Sequence, residues 1–182
     1  MKRRIFLRLA TAIPALGLVP ARAQTAPGFT FPSIDGGSYD TADWRGQPVL
    51  VINTASLCGF SGQLRDMQAL HEAYAARGLV VLAVPSDDFN QELASGKEVS
   101  EYCQMEFGIT LPMTDILHVA KGEVHPFYQW LRQETGFVPK WNFAKVLLGP
   151  GGQVLGQWGS FTKPGGSQII KAAAPFLAPA AG

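Results

Sequence analysis

Cysteine is nearly absent: only Cys58 and Cys103 occur in 182 residues, and no CxxC pair exists. This scarcity excludes a disulfide scaffold and a CxxC metal-ligand pair, and it disfavours a general thiol–disulfide exchange protein. Histidine is as sparse. His71, His118 and His125 show neither HExxH nor HxH spacing, so no metal site is expected and all three read as ordinary surface residues. Charge of one sign is missing too. Fifteen basic residues against fourteen acidic ones leave a net charge of +1, and no basic cluster lies in the body of the chain, which argues against nucleic acid as a partner. There is no internal repeat and no linker. With 47% hydrophobic residues, the chain suits one domain with a sizeable core.

What is present starts with an export signal. "MKRRIFLRLATAIPALGLVPARA" has a basic start, an apolar stretch from Leu9 to Val19, and a small-x-small end at Ala21-Arg22-Ala23. That is the pattern of a secretory signal peptide over residues 1–23, cut before Gln24, with a mature domain over 24–182. The apolar stretch is too short to span a bilayer, and no cysteine follows it for a lipid anchor, so no stable membrane contact is expected. "RRIFLR" (3–8) resembles the twin-arginine signal, with Lys2 where Ser or Thr is more usual. A periplasmic location follows, by the twin-arginine route or by general secretion.

The mature chain alternates strand and helix patterns. "VLVIN" (49–53), a helix from about Gly62 to Arg77 and "LVVLAV" (79–84) make a βαβ unit, with Gly78 as the C-cap. Ser95 and Glu98 form a capping box for a helix carrying Val99, Tyr102, Cys103 and Phe107 on one face. Val124, Phe127, Tyr128 and Leu131 form a further apolar stripe. "KVLL", the turn "GPGGQ" and "VLGQW" read as a β-hairpin, and a last helix over about 167–177 is interrupted by Pro175. This order is that of a thioredoxin-like α/β fold, a central mixed sheet flanked by helices.

Within it, "NTASLCGFSGQ" (53–63) sets Cys58 at a strand-to-helix turn that opens toward solvent. A free cysteine is more often a small buried hydrophobe. At a helix N-terminus, however, a thiolate meets unpaired N–H groups and the positive end of the dipole. A dithiol exchange site would place cysteine at the third residue beyond; Ser61 stands there, so a lone attacking thiolate is the better reading.

"NTASLCGFSGQ", "FNQE" and "KWNFAKVLL" follow the order and spacing of the glutathione peroxidase family, which the chain resembles from about Phe29 to Leu177. The resemblance implies a thiol peroxidase that reduces hydrogen peroxide or organic hydroperoxides without a bound cofactor. It implies a catalytic tetrad of Cys58, Gln91, Trp141 and Asn142, in which side-chain N–H donors stabilise the thiolate and hold the peroxide. The loop "PSDDFNQEL" departs from the family pattern, being one residue shorter, with Asp87-Asp88 where Asn-Gln is common; the two carboxylates read as a solvated loop surface. "EYCQMEFGITLP" (101–112) resembles the segment carrying the resolving cysteine of the thioredoxin-dependent branch, which implies that role for Cys103 and unwinding of its helix on oxidation. The short segment "ETGFVP" (134–139), where tetrameric glutathione-using members carry a longer loop, implies by the resemblance a monomer that takes electrons from a thioredoxin-like protein, with glutathione as the alternative reductant. The alternative is a peroxide-sensing or structural disulfide protein with little turnover.

Overall fold

The computed structural model describes residues 26–179; the signal-peptide reading of 1–23 lies outside them. A four-stranded mixed sheet forms the centre. Its middle strand β3 (Val49–Thr54) is buried at every position, as its unbroken Val-Leu-Val-Ile run requires. The hairpin of β1 (Thr30–Pro32) and β2 (Ser38–Asp40) precedes it, two three-residue strands too short to leave a periodic signal in the sequence. On one side of β3 lies β4 (Val80–Pro85), parallel, with Val49 opposite Val80. On the other lies β5 (Lys145–Leu148), antiparallel, with Ile52 opposite Lys145; β6 (Val154–Trp158) completes the order β4-β3-β5-β6.

Alternation along β3 divides the core into two layers. Leu50 and Ile52 face one layer, with Leu64, Met67 and Leu70 of α1 (Gln63–Tyr74) and Val99 and Cys103 of α2 (Gly96–Phe107). Val49 and Val51 face the other, with Phe127, Tyr128 and Leu131 of α3 (Pro126–Thr135). Each such large apolar side chain contributes about 1.5–3 kcal/mol by leaving water.

Helix ends follow local chemistry. Ser95 Oγ accepts the Glu98 N–H at 3.3 Å at the start of α2, as the capping pattern predicts. α1 is shorter than expected: after Tyr74 the chain tightens into a 3₁₀ turn, Ala75–Arg77, and leaves at Gly78 with φ of 92°. Val124 lies just before α3, whose first turn is capped by His125 and fixed by Pro126. His125 also stacks on Phe31 at 4.3 Å, a structural role the sequence did not reveal. α4 (Ser167–Ala173) ends in the 3₁₀ turn that contains Pro175. Among the described residues no helix is long and apolar enough to cross a membrane.

Candidate active site

The residues after β3 descend through consecutive turns before α1 begins. Cys58 N–H donates to Ala55 at 3.4 Å, and the Cys58 carbonyl accepts from Ser61 at 2.9 Å. Helix α1 starts only at Gln63, so Cys58 does not occupy its N-terminus. The sulfur meets one local amide instead: Phe60 N–H donates to Sγ at 3.5 Å. Nor does the thiol open to solvent. Cys58 is 3% exposed and packs in the α1 layer, while its neighbour Leu57 takes the outward position at 61%. The turn directs one residue in and the next out, and the cysteine is the one directed in.

The segment 141–144 is held by Asn53, the fifth residue of β3. Asn53 Nδ2 donates to the Trp141 carbonyl at 3.2 Å, Asn53 Oδ1 accepts from Ala144 N–H at 3.0 Å, and the Asn53 carbonyl accepts from Phe143 N–H at 2.6 Å. This clamp fixes Phe143 at φ 61°, a left-handed conformation that non-glycine residues adopt only when their surroundings impose it. The result is that Asn142 turns into the protein and is fully buried. Its Nδ2 donates to Gln91 Oε1 at 3.1 Å, and its carbonyl accepts from Ser160 Oγ at 2.6 Å. Gln91 in turn accepts from Leu57 N–H at 2.9 Å through its backbone carbonyl.

Gln91, Asn142 and the backbone beside Cys58 therefore form one hydrogen-bonded chain. The Trp141 ring lies outside this chain, 42% exposed and 5.4 Å from Phe89. Among the described residues none of the three side chains hydrogen-bonds Sγ itself, and Gln91 Nε2 has no partner; it remains a donor for a molecule entering the site. Asn142 Oδ1 is buried without a partner.

A second network lies beneath, and sequence reasoning missed it. Lys145 is fully buried; its Nζ donates to Gln63 Oε1 at 2.6 Å and to the Ser160 carbonyl at 3.3 Å, which also accepts from Gln63 Nε2 at 2.6 Å. Burial lowers the Lys145 ammonium to about 8, with the charge of Asp66 opposing. Through Ser160 this network supports the Asn142 carbonyl. The visible signal was a lysine as the first residue of an otherwise apolar strand.

Asp88 corrects another expectation. It is not a solvated loop residue but is 5% exposed, with Oδ2 accepting the N–H groups of Val119 and Ala120 at 2.7 Å and of Lys121 at 3.1 Å. Its Oδ1 lies 2.6 Å from His118 Nδ1, which gives His118 a structural partner too. Burial pushes this carboxyl up, but the hydrogen bonds from His118 and the three amides outweigh it and hold it below the usual carboxylate range. Only Asp87 stays exposed, accepting the Glu92 N–H at 3.1 Å. The loop thus carries an internal anchor, with Phe89 set against Trp141 just beyond it. Asp88→Ala is expected to lower the unfolding free energy by about 2–4 kcal/mol, since it orphans buried donors. Urea denaturation reads this directly, and an unchanged midpoint would show the anchor to be dispensable.

Cys103 lies on the buried face of α2 and, like Cys58, is a free thiol; the two belong to the same core layer. Burial, then the charge of Glu92, pushes the Cys103 thiol up to about 12. It borders a cavity of about 380 Å³ with Ser100, Gln104 and Thr110. Among the described residues no group of three or more potential metal ligands is assembled.

Fold and site together define a thioredoxin-like protein with two buried free thiols in one core layer and a chain of hydrogen-bonded amides beside the turn of Cys58. The family model for glutathione peroxidase matches residues 28–132. A glutathione peroxidase of Lactococcus lactis is 36% identical over 142 residues, 75% of this chain and 90% of that protein. A glutathione peroxidase-like peroxiredoxin of Schizosaccharomyces pombe is 37% identical over 135 residues, 71% and 85% of the two chains. A hydroperoxy fatty acid reductase of Synechocystis is 32% identical over 152 residues, 78% and 90%. Among solved structures, apo Trgpx superposes with a TM-score of 0.64 at 30% identity, covering 85% of this chain and all of that one (100%). A thioredoxin-family thiol:disulfide interchange protein of Chlorobium tepidum shares the fold, with a TM-score of 0.63 at 20% identity over 84% of this chain and 97% of that one. The chain belongs to the glutathione peroxidase family; it is a peroxidase, an oxidoreductase acting on peroxides.

Proposed function

We propose that Cys58 is the peroxidatic residue, that Gln91, Trp141 and Asn142 serve it, and that Cys103 resolves the oxidised form. The observation that carries this reading is the hydrogen-bonded chain from Leu57 N–H through Gln91 to Asn142, which joins the thiol's own turn to the amides. The Cys58 thiolate attacks one peroxide oxygen; the O–O bond breaks, the sulfur becomes a sulfenic acid, and the departing oxygen takes a proton and leaves as water or an alcohol. Gln91 Nε2 and the Trp141 indole N–H hold the oxygens as charge moves onto them. Cys103 then condenses with the sulfenic acid to a disulfide, releasing water, and a thioredoxin-like protein reduces it. The activity named for the Synechocystis relative supports organic hydroperoxides beside hydrogen peroxide as substrates. The enzyme works as a monomer in the periplasm, delivered there by the 1–23 signal through the twin-arginine route.

One equivalent of hydrogen peroxide added to the reduced protein is expected to give a Cys58–Cys103 disulfide by mass spectrometry, faster by orders of magnitude than free cysteine reacts. A thioredoxin-like dithiol should then restore both thiols more efficiently than glutathione. Oxidation no faster than that of free cysteine would replace this reading with a structural disulfide.

A further inference from the structure

Glu92 follows Gln91 in the chain but has no part in the peroxide step. Its carboxyl group is held against the Cys58 turn, close enough to Cys103 of α2 for its charge to act on that thiol. Oε1 accepts two backbone N–H groups, from Ser56 and Leu93, each at 2.9 Å. Oε2 is buried and has no partner. The Ser56 hydroxyl is also buried without a formed hydrogen bond, and it lies beside both the Glu92 carboxyl and the Cys103 thiol. Ser56, two residues before Cys58, thus meets the half-buried Glu92 and the buried Cys103 in one cluster. Two unpartnered buried oxygens next to a buried thiol are an expensive arrangement, and such groups persist where they have work to do.

Ionising Cys103 in this setting is unfavourable in two ways. Burial disfavours any thiolate, and an ionised Glu92 would place a second negative charge beside it. Passing the thiol proton to Glu92 removes the second difficulty, because the cluster then holds one negative charge before and after. Burial, with the like charge of Asp87 adding to it, raises the Glu92 carboxyl and so makes it a better acceptor.

We propose that Glu92 is the proton acceptor that activates Cys103 for attack on oxidised Cys58. The inference rests on the resolving role given to Cys103 above. The proton of the Cys103 thiol passes to Glu92 Oε2, directly or through the Ser56 hydroxyl. The Cys103 sulfur attacks the sulfur of the Cys58 sulfenic acid; the S–S bond forms and the S–O bond breaks. The departing hydroxide takes the proton held by Glu92 and leaves as water. Cys103 is oxidised and Cys58 reduced to the common disulfide level, so no outside oxidant enters, and Glu92 ends ionised as it began.

Glu92→Gln keeps an oxygen for the Ser56 and Leu93 amides while removing the basic site. After rapid mixing with hydrogen peroxide, trapping of the sulfenic acid by dimedone reads the first step, and acid quench with mass spectrometry reads the disulfide. The variant should oxidise Cys58 at the wild-type rate but form the disulfide about 100-fold more slowly at pH 7, within the range of general base catalysis. Its disulfide rate should rise about tenfold per pH unit as hydroxide replaces the carboxylate, whereas the wild-type rate stays nearly flat from about pH 6 to 8. Glu92→Asp should recover part of the loss. Should Glu92→Gln fold poorly, Ser56→Ala keeps the backbone N–H to Glu92 and tests the relay. Wild-type disulfide formation with an unchanged rate or pH profile in Glu92→Gln would overturn the role of Glu92 alone. Equal slowing of both steps would mark Glu92 as merely structural and also overturn it. A wild-type protein that forms no Cys58–Cys103 disulfide would overturn the resolving role and this inference together.

Discussion

Replacing Cys58 by serine is expected to remove peroxide reduction altogether, leaving the uncatalysed rate. A thiol near neutral pH supplies a usable fraction of anion, and sulfur attacks peroxide oxygen readily; a serine hydroxyl has no accessible anion under the same conditions. The substitution changes one atom at a site 3% exposed, where among the described residues the only hydrogen bond to the side chain comes from Phe60 N–H. Serine can accept that bond, so the fold should hold and the loss will report chemistry. Steady-state turnover of hydrogen peroxide with an excess of reducing dithiol measures the first quantity, and thermal unfolding the second. Substantial turnover in the folded variant would end the assignment of Cys58.

The next largest effects belong to the donors. Gln91→Ala and Trp141→Phe should each lower the rate constant for peroxide by about 10- to 1,000-fold, the loss expected for one preorganised donor. Asn142→Ala should be worse in a second respect. It removes the partner of Gln91 Oε1, and unlike the other two it empties a fully buried position, so the variant should lose about 1–3 kcal/mol of stability as well. Stopped-flow oxidation by hydrogen peroxide, paired with urea denaturation, separates the two losses. A silent Gln91→Ala would show that another group donates in this shortened loop. An Asn142→Ala variant with full activity would show that the chain of hydrogen bonds from Leu57 to Asn142 positions nothing.

How much of this could be seen in the sequence depended on the separation of the partners. The βαβ unit was legible because Val49–Ile52 and Val80–Pro85 are continuous apolar runs and α1 repeats its apolar residues at helical spacing. The hairpin of β1 and β2 was not, because three residues carry no period. Candidate site residues came from motif resemblance; hydrogen bonds tie Gln91 to the turn that carries Cys58 and Asn142 to Gln91, while the Trp141 ring lies against Phe89. What holds them could not be read in the same way. Asn53 and Ala144 are 91 residues apart, Lys145 and Gln63 are 82, and in the sequence Asn53, Gln63 and Lys145 are unremarkable polar residues near apolar runs. Asp88 was misjudged for the same reason: its partners at His118 to Lys121 lie some thirty residues downstream, and a lone carboxylate in a loop ordinarily faces water.

The Asn53 clamp has a consequence for the life of the chain before it is fully folded. β3, α1 and β4 are contiguous and can associate with little loop-closure cost, whereas 141–144 reaches Asn53 only when β5 pairs with β3 across about ninety intervening residues. A nascent or partly unfolded molecule can therefore hold the thiol-bearing turn on its βαβ half while Trp141 and Asn142 are still elsewhere. In that interval the sulfur is neither sheltered nor assisted, and it reacts with whatever electrophile it meets. Completion of the β3–β5 ladder is what turns an ordinary vulnerable cysteine into a selective one.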